Sequence, residues 1–530
     1  VSAIMGVFTV CGFILLIVFQ SFYTGTDEYR FLAYQERLFP FVVLLFYMFI
    51  GLLTIYARQL KRIEINKKFL SDNGFWLGAG TLGFFFLIWI FAKLSKIGLV
   101  PDEIGWEGPT VPVLEWQLIS AWVIAVVFLL LSGLKQSGKI KPAAFDRLSS
   151  IIIWSLAVVL WSSFSVPEGY FAIRRAPNFE PYPFSDGQYY DIFAQNLLFG
   201  NGFKGNQIPP RPLYILLLWI FHSIVGQDYT KVIQLQTLVL AMIPVGLYCL
   251  GKLLYNRTVG IFIALVAILR EMTAIISTSF TDNASNSKLY FADLPTALAI
   301  IWLVWVVITW LNEYDKKPWF SLLAGGFWGI CLLLRTQTIF FFPIILLYMV
   351  FKIKGWRRLI LQGVIFSCGV VLLIAPWLIR NHAITGQYVF DDAESQTRVM
   401  ALRYLPTHES PDQLPGETIA EYNDRLLKII VQTIKQDPGY VAKFVAGHWI
   451  NSQINNLLVL PVREGLTSIK EIWTPSIPFW QAWDGKTNLQ QAILIIINLT
   501  IIAAGIGAAH KKLGYLSLFP LLINFSYNLS

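Results

Sequence analysis

Charge is scarce in this chain. Only 14% of its 530 residues are Asp, Glu, Lys or Arg, against about a quarter in soluble globular proteins. That shortage excludes a soluble enzyme, a disordered tail and a nucleic-acid reader. Cysteine is scarce as well: Cys11, Cys249, Cys331 and Cys368 all lie inside apolar stretches, where they act as small hydrophobes rather than as a disulfide framework. The five histidines, His222, His382, His408, His448 and His510, have no ligand spacing, so no structural metal is expected. There is no Walker loop, no dinucleotide fingerprint after a strand, no internal repeat and no low-complexity tract. What the chain has instead is apolar length. With 56% hydrophobic residues, 15% aromatics and a mean hydropathy of +0.59, it can fill a dozen bilayer spans at about 20 residues each.

Runs of that kind fall near 3–22, 39–57, 74–92, 116–134, 148–166, 231–251, 259–279, 292–311, 318–335, 338–351, 359–378 and 489–509, and a thirteenth begins near 514. The run at 259–279 carries Arg270 and Glu271, which either pair with other helices or break that helix. Loops 58–72, 135–147, 252–257, 312–317, 352–358 and 511–512 hold 19 basic residues, whereas 23–38, 93–115, 280–291 and 336–337 hold five. Cytoplasmic loops collect Lys and Arg, so the N-terminus is expected in the cytoplasm, and the net charge of +9 reflects topology rather than a nucleic-acid partner. The chain both opens and closes in apolar sequence, at Val1 and Ser530, so it is expected to be part of something longer, with no cleavable signal peptide.

Two long segments then fall on the outer side, 167–230 and 379–488. In the first, Leu213 to Val225 suits a helix lying along the interface. In the second, Ile419, Leu426, Leu427, Ile430, Val431 and Ile434 recur at helical spacing until Asp437-Pro438-Gly439 stops the run, and Val441 to Leu460 is the nearest candidate to cover that stripe.

The most distinctive text is Ser185-Asp186-Gly187-Gln188-Tyr189-Tyr190-Asp191, followed by Ala194, Asn196-Leu197-Leu198, Gly200, Gly202-Phe203 and Arg211-Pro212-Leu213-Tyr214. Asp186 stands where a helix N-cap belongs, and capping is one reading of it. The other follows from its place just after a span, where a carboxylate can take a proton from a hydroxyl arriving from water. Asp293, two residues before Pro295 at the mouth of a span, has the same two readings. Pro376-Trp377-Leu378-Ile379-Arg380-Asn381 closes a span, and Arg335 ends another. Either arginine can anchor to headgroups or hold a phosphate.

This text resembles the first outer loop of lipid-linked sugar transferases of the C-type fold, glycosyltransferase family 39 and its bacterial relatives. There an acidic residue, an aromatic, Ala, Asn-Leu-Leu-x-Gly-x-Gly-aromatic and Arg-Pro-x-Tyr follow in order, as Asp186, Tyr190, Ala194, Asn196 to Phe203 and Arg211 to Tyr214 do here. The chain departs from the frequent Arg-Pro-Pro, having Leu213 after Pro212. The resemblance covers roughly 150–530 in topology and is specific only at 186–214 and 376–381.

It implies an all-α membrane protein of 12–13 transmembrane helices in a C-type glycosyltransferase arrangement with a mostly helical outer domain. Residues 1–147 would be an added module of four helices able to dock partner subunits, 148–381 the core with its first outer loop at 167–230, 382–488 the outer domain and 489–530 the last helices. The implied activity is transfer of a sugar from a polyprenyl-phosphate donor to a glycan, lipid or protein acceptor outside the cytoplasmic membrane. Asp186 and Asp293 would be catalytic, and Tyr190, Arg211, Arg335, Arg380 and Asn381 would bind substrate. No cofactor is expected. The first outer loop lacks Asp-x-Asp, which disfavours metal-dependent nucleotide-sugar chemistry, although some transferases of this broad fold use a divalent ion. The alternatives are a non-catalytic scaffold of the same fold and a lipid-linked sugar transporter.

Overall fold

The computed structural model describes residues 72–99, 113–134, 142–278, 285–458 and 489–529, apart from 178, 206 and 408, together with 111 and a few positions between 10 and 52. The runs expected at 3–22 and 39–57, their connecting loops and residues 459–488 otherwise lie outside the described residues.

The fold is all-α and membrane-type. The helices are α1 (Asn73–Ser95), α2 (Glu115–Leu134), α3 (Pro142–Ser162), α4 (Asp186–Leu198), α5 (Pro212–Val225), α6 (Tyr229–Leu240), α7 (Met242–Leu254), α8 (Arg257–Ser277), α9 (Asp293–Glu313), α10 (Phe320–Leu334), α11 (Phe341–Lys352), α12 (Trp356–Thr385), α13 (Ala393–Tyr404), α14 (Ile419–Gln436), α15 (Pro438–Leu457), α16 (Leu489–Leu513) and α17 (Phe519–Tyr527). Among the described residues, seven helical stretches are long and apolar enough to cross a membrane: α1, α3, α6 with α7, α8, α9, α12, and the stretch from Ile495 to Tyr527. Shorter apolar helices run over Trp116–Phe128, Pro212–Val225, Phe320–Leu334 and Thr336–Lys352. Among the described residues the strands form a hairpin between α3 and α4, β1 (Ala172–Arg175) antiparallel to β2 (Glu180–Pro183), with Ala172 opposite Pro183.

Polar caps start the helices where the apolar runs begin. Asp72 accepts from the Gly74 amide at 2.9 Å, and Asn256 accepts from the Val259 amide at 3.0 Å. Arg270 and Glu271 do not break α8, which runs on to Ser277.

One end of the bundle is stapled at Asp146 of α3. Its carboxylate accepts from Tyr248 (2.9 Å), Lys252 (3.0 Å) and Arg257 (2.7 and 3.1 Å), while Lys512 donates to the Lys252 carbonyl at 3.0 Å. The start of α3, the end of α7, the start of α8 and the end of α16 therefore meet there. The connections 163–228 and 278–292, which emerge from the other ends of these helices, carry the candidate site.

In the segment after α12, α14 opens with a capping box between Thr418 and Glu421. Its buried residues Tyr422, Leu426 and Ile430 pack on Ala401 of α13 and on Leu405 just after it. The Val441–Leu460 stretch does not provide the principal cover for that stripe. Ile450 of α15 sits instead against Ala92 and Leu99, at the end of α1. The pattern marks a face to bury but not the partner, and α13 brings a short apolar face of its own.

Candidate active site

Asp186 is the first residue of α4, and Asp293 the first of α9. Neither caps its helix. The N-cap positions belong to Ser185 and Ala292, without side-chain cap bonds, so the capping reading of both carboxylates is corrected. Both gain from the positive end of a helix dipole, and both turn towards side chains. Asp186 Oδ2 accepts from the Tyr190 hydroxyl at 3.2 Å and faces Arg211 at 3.5 Å. Arg211 also donates to the Tyr190 oxygen, with its guanidinium 5.2 Å from the centre of that ring. Asp293 is ion-paired with Arg335 and accepts from the Ser285 hydroxyl at 2.9 Å.

Tyr190 is bonded to the first pair and feels the charge of the second. Its ring is buried against Tyr214, and its hydroxyl lies within electrostatic reach of Arg211, Asp186, Arg335 and Asp293. Burial pushes its phenol above the ordinary value of 10.0, with Arg211 pulling the other way, so it stays a neutral donor. Asp186 remains 57% exposed at its side chain, while Arg211 is 23% exposed. An incoming hydroxyl can reach that carboxylate, and the guanidinium sits in a partly desolvated wall where charge pairing is stronger.

Ser185 and Arg211 have φ of 55° each, in a region that non-glycine residues seldom occupy. Arg211 takes this left-handed turn immediately before Pro212 opens α5. The strain of such backbone, about 1–3 kcal/mol per residue, is characteristic of functional sites.

Arg380 and Asn381 form a separate group. Arg380 donates to the Gln207 carbonyl at 2.8 Å and to Asn381 Oδ1 at 2.9 Å, and covers the rings of Phe203 and Trp377. Asn381 is fully buried and donates to the Val389 carbonyl at 3.0 Å. It positions Arg380 and the chain beyond α12, and its amide is not presented to solvent.

Asp391 escaped the sequence reading. This half-buried carboxyl is hydrogen-bonded to Thr336, next to Arg335, and feels the charge of Arg211. Burial raises its pKa, against the pull of Thr336 and Arg211. The signal was the Asp391-Asp392 doublet soon after Pro-Trp-x-x-Arg-Asn. The buried Asp191–His222 pair, at 2.8 Å, was missed as well and ties α4 to α5. Among the described residues no group of three or more His, Cys, Asp or Glu is placed to hold a metal ion.

Residues 209–379, about a third of the chain, match the family model of dolichyl-phosphate-mannose-protein mannosyltransferases. This segment is similar to a C-type glycosyltransferase family. The match takes in Arg211, Asp293 and Arg335, and leaves Asp186 and Tyr190 on its N-terminal side and Arg380 just past its end. No curated protein and no solved structure matches the chain.

Proposed function

We propose that the protein is a membrane glycosyltransferase that moves a sugar from a polyprenyl-phosphate donor to a glycan, lipid or protein acceptor at the outer face of the cytoplasmic membrane. The observation that carries this reading is a pair of acid–arginine groups, Asp186–Arg211 with Tyr190 and Asp293–Arg335, near enough that Tyr190 feels the charge of both. Its outer placement is supported by the 19 basic residues in the loops on the side of the Asp146 staple.

The acceptor hydroxyl attacks the anomeric carbon of the donor and the bond to the phosphate oxygen breaks. Asp186, the more exposed carboxylate, takes the hydroxyl proton. Arg211 and Arg335 receive the phosphate charge as it develops, exchanging part of their pairing with Asp186 and Asp293 for the leaving group. Tyr190 holds Asp186 and Arg211 in register. The segment 382–488, helical in its described part, helps select the acceptor. Arg380, beside the rings of Phe203 and Trp377, offers a cation to the lipid-linked headgroup.

Membranes carrying the full chain, supplied with radiolabelled polyprenyl-phosphate sugars, test this. Asp186→Asn should lower transfer by about a hundredfold or more with an unchanged melting temperature, and Arg211→Ala and Arg335→Ala should weaken donor binding. Wild-type turnover by a folded Asp186→Asn protein removes the general-base role.

A further inference from the structure

Glu271 is an acid inside an apolar helix, two turns from its end, and 9% exposed. A carboxylate so placed is costly unless its oxygens are used. One is: Glu271 Oε1 accepts from the backbone amide of Ser287 at 2.6 Å.

Ser287 belongs to a buried segment leading into α9. Asn286, Ser287, Lys288 and Leu289 are all no more than 2% exposed. Gln236 of α6 holds the same segment from the other side, donating to the Ser287 carbonyl at 3.0 Å and the Leu289 carbonyl at 2.9 Å. The Gln236 amide is itself oriented by the Tyr214 hydroxyl, which donates to it at 2.9 Å. Asn286 donates to Thr278 at 2.6 Å and accepts from the Lys288 amide at 2.9 Å. At the head of this clamped segment Ser285 donates to Asp293, the partner of Arg335. The clamp thus runs from α6 and α8 to the carboxylate that pairs with a proposed phosphate-binding arginine.

We infer that Glu271 is a positioning residue: by holding the Ser287 amide it sets the Ser285–Leu289 segment, and through that segment the place of Asp293 against Arg335. The inference rests on the proposed role of Asp293. The positioning part of Glu271 is acceptance of the Ser287 N–H, which an amide oxygen can take over; the charge that Glu271 also presents to Arg270 and Lys288 is lost in Gln. Misplacing a reacting group by about 1 Å costs up to about a hundredfold in rate.

The test uses the full chain in nanodiscs and follows transfer from a radiolabelled polyprenyl-phosphate sugar. Glu271→Gln should retain kcat within about threefold, and Glu271→Leu should lower it about tenfold or more. In an Asp293→Asn background, Glu271→Leu should cost almost nothing further, because both changes act on one group. Equal losses for Gln and Leu, or a full additional loss on top of an impaired Asp293→Asn, overturn the inference and leave the role of Asp293 standing. Wild-type turnover by Asp293→Asn overturns that role and the inference together.

A second readout needs no transfer. Maleimide labelling of a Ser285→Cys protein should quicken when Glu271→Leu is added and not when Glu271→Gln is added; unchanged labelling overturns the inference on its own. If Glu271→Leu does not fold, Glu271→Ala takes its place under the same criteria.

Discussion

His222 has an oxygen acceptor at each ring nitrogen, the Gly226 carbonyl at Nδ1 and Asp191 Oδ1 at Nε2, both 2.8 Å away. Two N–H groups are needed to satisfy them, so the ring is an imidazolium in this arrangement. Burial alone would lower its pKa, but the bonds to Asp191 and Gly226 outweigh burial and hold it above the ordinary 6.5. A folded-state pKa above the unfolded one makes the contribution complete below about pH 6.5 and lost as pH rises through the folded value. His222→Gln is expected to cost about 2 kcal/mol at pH 6, a difference that shrinks at alkaline pH. Unfolding curves in detergent across that range check it, and a pH-independent difference contradicts the charged pair. At this scale the sequence pointed to Asp186 and Arg211 because both stand in one patterned stretch, 186–214. It did not reveal His222, whose partner Asp191 belongs to another helix.

The helices that deliver Arg335 and Arg380 cross at glycine. A Cβ added to Gly325 of α10 would overlap the Phe366 carbonyl of α12, and one on Gly369 would overlap the Leu322 carbonyl. Apolar tails on the outside of a membrane bundle provide little drive for association, so close backbone approach is what holds such a pair. Gly369→Leu is expected to destabilise by about 1–3 kcal/mol and to reduce transfer, since α10 ends at Arg335. A lowered melting temperature with lowered activity would agree, while an unchanged melting temperature would mean that the helices do not touch there. The glycines were readable in the apolar runs, but which backbone they face was not, because helix period alone does not choose a neighbour. The same holds for α14, where Ile419, Leu427 and Val431 of the apolar stripe remain exposed.

At the scale of the molecule, α1 and α2 of the segment proposed as an added module lie against the rest. Asp72 pairs with Lys511 at 2.6 Å, and Gly74 meets Gly507 backbone to backbone. Gln117 of α2 is 1% exposed, accepts from the Leu114 amide at 2.9 Å, and donates to the Leu269 carbonyl at 2.7 Å and to Thr273. Arg270 donates to the Val111 carbonyl at 2.9 Å. These bonds fall on the turn of α8 that carries Glu271. Gln117→Leu leaves a buried amide without its partner and is expected to cost about 1–3 kcal/mol, with a fall in transfer rate if α2 braces that turn. Calorimetry with the transfer assay separates the two effects, and full stability would place Gln117 outside the helix contact.

By itself the sequence determined the solvent and the helical class, because these depend on composition and on periods of a few residues. It also picked out Asp186 and its neighbours from one motif. Only the tertiary structure decided that Arg211 meets Tyr190 and Arg335 meets Asp293, that Asn381 is buried, that Asp391 approaches the site, and that Glu271 closes on a loop amide rather than breaking its helix. Each of these depends on satisfying a charge or polar group with a partner from a distant segment, and such a partner is chosen by packing, which local pattern does not encode.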